Sequence, residues 1–306
     1  MNTLDQIMEN QDNPENGSGK EFDKEQWKEQ KQHEMEETFQ LLNDHTQQVS
    51  LDPHKLLDYL ELQARIPSMS VGNTILILAQ RDGQVSRMAT FKDWQAQGRS
   101  VKKGENGCRV LMPVNYKRDD GTEGTSFRVT RVFDIGQTQT HSPQAKDRAI
   151  VAPELSHLVT AIVRESPVPI VKDDSISIEQ IGVYDPASRK IRMRGDVSDE
   201  AAFPVLAREL SHVALASNQI NTYDRDQMSS RATCASWLIC KRYGLATPNL
   251  PLEKLRDDIS SGEPVQIRAA LHEIRQAANL TCSRIDRVLE PVKESVPFKK
   301  TNEPVR

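Results

Sequence analysis

At 306 residues, with 37% hydrophobic and 5% aromatic content, the chain has enough apolar material for two modest cores and too little for one large one. Its formal net charge of -4 offers polyanions no global attraction, so any nucleic-acid binding must come from a local cationic patch. There is no bilayer-length apolar run and no signal-peptide layout, and Cys108, Cys234, Cys240 and Cys282 stand singly, which predicts a cytoplasmic protein with reduced thiols and no membrane partner.

Residues 1–20 are polar, acidic and rich in Gly, Asn and Ser, the composition of a disordered tail. A single helix is expected from Glu21, carrying Trp27, Met35, Phe39, Leu42 and Val49 at loosely helical spacing. Asp52-Pro53 suits the start of the next helix, whose apolar side is Leu56, Leu57, Leu60 and Leu62. Thr74 to Gln80 reads as a buried helix with Asn73 as its cap. Beyond Phe91 and Trp94 comes a glycine loop, Gly98-Arg99-Ser100-Val101-Lys102-Lys103-Gly104-Glu105-Asn106-Gly107. Its glycines permit close backbone approach and positive φ, and Lys102 and Lys103 lie at its tip. Cys108 to Val114 and Phe127 to Ile135 alternate as two strands, with a hairpin turn at Asp119-Asp120-Gly121.

Aromatics and cations interleave here as nowhere else in the chain. Single-stranded nucleic acid is held by a positive groove along its phosphates and by flat side chains on which bases stack, each stack contributing ~1–3 kcal/mol. Trp94, Phe91, Tyr116, Phe127 and Phe133 offer faces, and Arg118 adds to the available charge. The expected contacts are Asn73, Lys92, Trp94, Arg99, Lys102, Lys103, Tyr116, Lys117, Arg128 and Arg131. In so small a domain about half of the aromatics must serve the core, Phe91 and Phe133 foremost.

Residues 141–153 read as a linker, and a helix from Pro153 to Glu165 is broken by Ser166-Pro167-Val168-Pro169. Ile181 to Pro186 and Lys190 to Arg194 alternate as a hairpin turned at Asp185 to Ser188. An acidic helix start at Asp196 to Glu200 then leads into Phe203, Val205, Leu206, Leu210, Val213 and Leu215 at helical spacing. Inside that helix, Arg208-Glu209-Leu210-Ser211-His212 differs by one residue from the zinc-peptidase signature His-Glu-x-x-His. In the intact motif two imidazoles one turn apart hold zinc and the glutamate polarises the attacking water. Arg208 occupies the first ligand position, and a guanidinium has no lone pair to donate. Glu209 and His212 remain on one helix face. Asp224 and Asp226 are the nearby carboxylates, placed where such residues usually cap a helix. Arg208, and Arg231 on the following helix, are expected to neutralise Glu209, so that an ion pair stands in for a metal.

In order and spacing, Asn73 to Gln80, Phe91-x-x-Trp94, the glycine loop and Val132-Phe133-Asp134-Ile135-x-Gln137-Thr138 resemble the single-stranded-DNA-binding domain of the ArdC-like antirestriction proteins of conjugative plasmids and mobile elements. From Ile178 to Asp286 the chain resembles that family's zincin-like metallopeptidase domain: the Tyr184-Asp185-Pro186 turn, the Glu-x-x-His helix, a helix around Arg231 to Leu245 and a terminal helix from Gln266 to Val288. The resemblance implies an α+β fold. A small mixed single-stranded-DNA-binding domain with its N-terminal helix spans 21–140, a linker 141–153, and a minimal zincin-like α+β domain 154–290. A disordered acidic tail at 1–20 and a flexible tail at 291–306 flank them. Single-stranded DNA is the implied partner; the N-terminal helix is expected to pack on the DNA-binding domain, and the alternative is that the acidic tail competes with DNA for the basic groove. In the family the helix after the motif supplies an acidic third ligand, but Ser229 to Trp237 contains no carboxylate. Glu209 and His212 are therefore expected to be vestigial, with no catalytic residue, no metal and no cofactor, and the domain to be structural or to bind a protein partner. The alternative is a zinc-dependent peptidase with a rearranged metal site using Glu209 and His212.

Overall fold

A computed structural model describes residues 24–81, 85–118, 120–140, 153–217 and 222–289. The expected tails at 1–20 and 291–306, the linker up to residue 152 and the turn residue Asp119 lie outside the described residues. The fold is mixed α+β. In chain order the elements are α1 (Lys24–Leu51), α2 (Pro53–Arg65), α3 (Val71–Gln80), β1 (Met88–Thr90), α4 (Phe91–Ala96), β2 (Arg99–Val101), β3 (Cys108–Lys117) and β4 (Glu123–Asp134). A 3-10 turn (Ile135–Gln137), β5 (Thr138–Thr140), α5 (Leu155–Arg164), β6 (Ile170–Lys172), β7 (Gly182–Asp185), β8 (Lys190–Met193), α6 (Asp199–Ser217), α7 (Arg225–Arg242), α8 (Leu252–Ile259) and α9 (Pro264–Leu289) complete it. No helix of the described residues is long and apolar enough to cross a membrane.

The described residues divide into two compact units, the first within 24–140 together with Pro251–Arg275 and the second within 153–250 together with 276–289. Residues of α8 and the first part of α9 thus join the first unit across a long sequence gap. Arg268, for example, donates to Asn43 Oδ1 at 3.0 Å and Thr46 Oγ1 at 3.1 Å on α1.

In the first unit, α2 starts where Asp52 accepts the His54 N–H at 2.8 Å, with Pro53 at the first helical position. The cap of α3 is Ser70, whose hydroxyl accepts the Asn73 N–H at 3.3 Å, so Asn73 sits inside the first turn rather than capping it. β4 pairs antiparallel with β1 on one side and β3 on the other, in register from Cys108↔Val132 to Lys117↔Glu123. Leu62, Ile66, Ile77, Val85, Met88, Cys108, Val110 and Val132 form the core between helices and hairpin.

β3 is an edge strand of this sheet, and α3 closes that edge with side-chain amides. Asn73 donates to Leu111 O at 3.0 Å and accepts from Leu111 N at 2.9 Å. Two helical turns on, Gln80 donates to Arg109 O at 2.9 Å and accepts from Arg109 N at 2.9 Å. Each amide thus imitates a neighbouring strand and satisfies backbone groups that would otherwise be stranded or template aggregation. Asn73→Ala is expected to destabilise the chain by about 1–3 kcal/mol, the cost of leaving a buried donor and acceptor unpaired, read as a shift in urea midpoint. A loss below a few tenths would show that solvent reaches this edge.

In the second unit, β8 lies between β6 (parallel) and β7 (antiparallel). α6 packs on α7, α5 and β7, and Ser236 Oγ of α7 donates to Pro204 O of α6 at 2.7 Å. Leu158, Ile162, Ile191, Phe203, Leu206, Leu210 and Ile239 fill the space between.

Candidate functional site

The Val132–Thr138 stretch works as a clamp that shapes the glycine loop. The Asp134 carboxylate accepts Ser86 N at 2.8 Å, Arg87 N at 3.1 Å and Gly136 N at 2.9 Å. Gln137 accepts Asp134 N at 2.9 Å and donates to Glu105 Oε2 at 2.7 Å and Asn106 O at 2.9 Å. Lys102 N bonds Gln137 O at 2.9 Å, and β2 pairs with β5. Gly104 turns the loop with φ +87°, a left-handed conformation that L side chains adopt only at a cost.

Trp94 is fully buried, and its indole N–H donates to Phe133 O at 2.9 Å. It has no face for a base, which corrects the expectation that it stacks on nucleic acid. It is instead a platform for cations, with the Arg87 guanidinium 4.8 Å and the Arg99 guanidinium 5.8 Å from the ring centroid. Arg87 also donates to Gln97, and Arg99 Nε to Thr138 Oγ1 at 2.8 Å. Lys102 Nζ reaches Gly136 O at 2.8 Å, while Lys92 on α4 and Lys103 at the loop tip are exposed. The structure therefore brings Lys92, Arg99, Lys102 and Lys103 to one end of the hairpin and adds Arg87, which sequence reading missed because it precedes the aromatic run.

The other expected contacts are distributed differently. Tyr116 and Lys117 lie at the far tip of β3, about 30 Å from Cys108 at ~3.4 Å per residue. Tyr116 lays its ring over Gly124, where an added Cβ would fall 2.6 Å from the ring. Arg128, opposite Met112, is exposed midway along the hairpin. Asn73 is committed to the β3 edge and buried, so it is not available to DNA. Arg131 stands directly opposite Arg109, a like-charge pair that costs stability in a sheet. Helix α1 neutralises both, through Glu34 at 3.5 Å from Arg131 and Glu37 at 2.8 Å from Arg109. The Arg109 hydrogen bond holds the Glu37 carboxyl below its ordinary range. Phe39 of α1 meets Phe127 edge-on, with ring centroids 6.4 Å apart. Phe91, expected in the core, is half exposed at the first position of α4, whereas Phe133 is half-buried.

In the second unit, α6 carries Glu209 and His212 into the interior, at 0% and 1% exposure. Glu209 Oε1 is 2.8 Å from Arg208 Nε, and Oε2 is 2.8 Å from Arg225 Nη2 and accepts Tyr184 N at 2.7 Å. Arg225 also reaches Tyr184 O at 3.4 Å. Arg225, the opening residue of α7, thus joins Arg208 as a cation on Glu209, a partner not read from the sequence. Asp224 caps that helix by accepting Asp226 N at 2.9 Å and Gln227 N at 3.1 Å. Three of the roughly four acceptor positions of the Glu209 carboxylate are taken by fixed donors.

His212 Nδ1 is hydrogen-bonded to the Tyr223 hydroxyl. Burial, then the charges of Arg225 and Arg208, push its pKa down to about 3, and burial raises that of Tyr223. The imidazole is therefore neutral in the folded chain but titrates near 6.5 when unfolded. Stability is complete above pH 6.5 and falls as pH drops toward 3, at up to about 1.4 kcal/mol per pH unit. His212→Gln should flatten urea-derived stability between pH 6.5 and about 4.5, above the range where carboxylates titrate. An unchanged acid limb would place the lost protons elsewhere.

These residues do not fit a zinc site. One imidazole is present, the carboxylate is held by two guanidiniums, and among the described residues no group of three or more His, Cys, Asp or Glu is placed to hold a metal ion. The cysteines are all free and buried, and burial pushes Cys234 and Cys282 up to about 12, which leaves them inert at neutral pH.

The family profile for the N-terminal domain of anti-restriction factor ArdC matches residues 62–152. Among solved structures, the chain is similar to the metal-free crystal structure of the antirestriction ArdC protein from the R388 plasmid, at 19% identity and a TM-score of 0.46 over 71% of this chain and 85% of that one. The Mn(II)-bound structure of that protein compares at 18% identity and a TM-score of 0.48, over 72% and 87%. A search of curated proteins finds no match. The sequence similarity is thus to the N-terminal domain of anti-restriction factor ArdC, over residues 62–152.

Proposed function

We propose that this chain is a single-stranded-DNA-binding protein of antirestriction type, whose second unit is a zincin-like scaffold stabilised by an ion cluster in place of a metal. The observation that carries the DNA reading is the set of cations fixed at the end of the hairpin: Arg87 and Arg99 stacked on Trp94, with Lys102 and Lys103 on the loop that Gln137 clamps. A preorganised cationic surface loses little side-chain entropy when phosphate arrives. Lys92 extends this surface, and Arg128, Tyr116 and Lys117 continue it along the hairpin toward the tip. Arg131 is left out because the Glu34 carboxylate balances its charge, and Asn73 because it is buried against the β3 edge.

Because Trp94 lies beneath Arg87 and Arg99, its emission should report phosphate drawing those cations away. Titration with an unlabelled thymidine oligonucleotide in low salt should give saturable quenching, with an affinity that falls as salt rises by roughly 0.7 log units per log unit for each phosphate contacted. A flat titration in dilute buffer would end this reading. The peptidase alternative requires Glu209 to leave both Arg208 and Arg225 before it can polarise water, and it draws no support from that geometry. Under the proposal, incubation with an unfolded protein substrate yields no chelator-sensitive cleavage.

A further inference from the structure

Beside the Glu209 cluster, and sharing Tyr184 with it, the second unit contains an open cavity of about 300 Å³. That is the lower end of small-ligand sites, which run roughly 300–1,000 Å³. Its walls are apolar at Pro167 and Leu280 and polar at Tyr184, Tyr223, Arg189 and Arg284. The two arginines are unlike their neighbours. Arg192 of the same hairpin pairs with Asp173 at 3.0 Å, and Arg287, one turn from Arg284, reaches Glu165 at 3.4 Å. Arg189 and Arg284 have no carboxylate partner among the described residues, although Arg284 is half-buried. The hydroxyl of Tyr184, a residue only 4% exposed, likewise has no hydrogen-bond partner among them. A half-buried guanidinium such as that of Arg284 is normally matched by an anion, and none is supplied among the described residues; Arg189, which is exposed, adds a second cation without a carboxylate.

Arg189 provides a second, independent sign. It ends the β7–β8 turn with φ 52°, in the left-handed region that favours glycine or asparagine. A strained backbone that carries an unpaired cation to a cavity is the kind of outlier that function, rather than stability, maintains.

We infer that this cavity binds a carboxylate attached to a compact apolar group. The guanidiniums of Arg189 and Arg284 hold the carboxylate, Tyr184 supplies a hydroxyl, and the apolar group lies against Pro167 and Leu280. The site is independent of DNA binding. Such a ligand has two sources, a free small acid or the last residue of a peptide.

Calorimetric titration of the full chain with N-acetylphenylalanine tests the inference. Binding is expected for the acid and not for its amide, and Arg284→Ala should weaken it by about tenfold or more, with the fold verified by circular dichroism. Arg189→Gly removes a guanidinium and also relieves the backbone, so it should raise Tm while weakening the acid, a combination that a purely structural role does not produce. An N-blocked tripeptide ending in phenylalanine sorts the source: binding comparable to the acid points to peptide C-termini, and exclusion points to free acids. Equal binding of acid and amide, equal competition by inorganic phosphate, or no heat with the acid at millimolar concentration would each overturn the proposal. If Arg284→Ala fails to fold, Arg189→Gly and the acid-against-amide comparison still decide it.

Discussion

Replacing Glu209 by Ala is expected to lower the unfolding free energy by about 3–5 kcal/mol, the cost of leaving charges buried without their partner. Among the described residues the carboxylate is the acidic member of a cluster with Arg208 at 2.8 Å and Arg225 at 2.8 Å, and it also satisfies Tyr184 N at 2.7 Å. Its removal strands two guanidiniums and one backbone donor together. Arg208→Ala should cost less, because the Arg208 side chain is 31% exposed and water replaces part of what the carboxylate gives. Changing Arg208, Glu209 and Arg225 together to Leu, Met and Leu should recover most of the loss, since a buried ion cluster gains little over well-packed apolar groups once desolvation is counted. Urea denaturation of the four proteins measures all of this. A loss under about 1 kcal/mol for Glu209→Ala would mean that the cluster does not link α6, α7 and β7. Added zinc should leave each midpoint unchanged.

Arg87, Arg99, Lys102 and Lys103 changed together to Ala should weaken single-stranded-DNA binding on the order of 100-fold or more in low salt, and reduce the salt slope by about 3 log units per log unit. The slope is the sharper readout. Misfolding would abolish binding, whereas loss of phosphate contacts leaves a weaker isotherm with a shallower salt dependence. Arg131→Ala serves as the control, expected within about twofold of the parent because Glu34 already balances that charge. If the quadruple variant kept its slope, the tip around Tyr116 and Lys117 would have to carry the phosphates, and the end of the hairpin near Trp94 would lose its assigned role.

Much of this was legible from local pattern. The alternation of Cys108–Val114 and Phe127–Ile135, the Asp185 turn and the Phe203–Leu215 periodicity each announce their element, because burying one face of a strand or helix imposes a period on the chain itself. The presence of Arg in place of the first histidine also needs no structure, since a guanidinium cannot ligate in any fold. What pattern does not reveal is which polar side chains are already committed. Asn73 and Trp94 look like ligand-binding residues until Leu111 and Phe133 are seen to take their hydrogen bonds.

The sequence by itself determined the secondary elements, the cationic and aromatic composition of the hairpin region and the guanidinium where a His-Glu-x-x-His motif has its first histidine, because each of these depends on residue identity and short-range spacing. Only the tertiary structure decided that Arg225 completes the Glu209 cluster, that α1 neutralises Arg109 and Arg131, and that Pro251–Arg275 packs with the first unit. Charges and amides find their partners through space, and those partners lie tens of residues or more away, where no period in the chain records them.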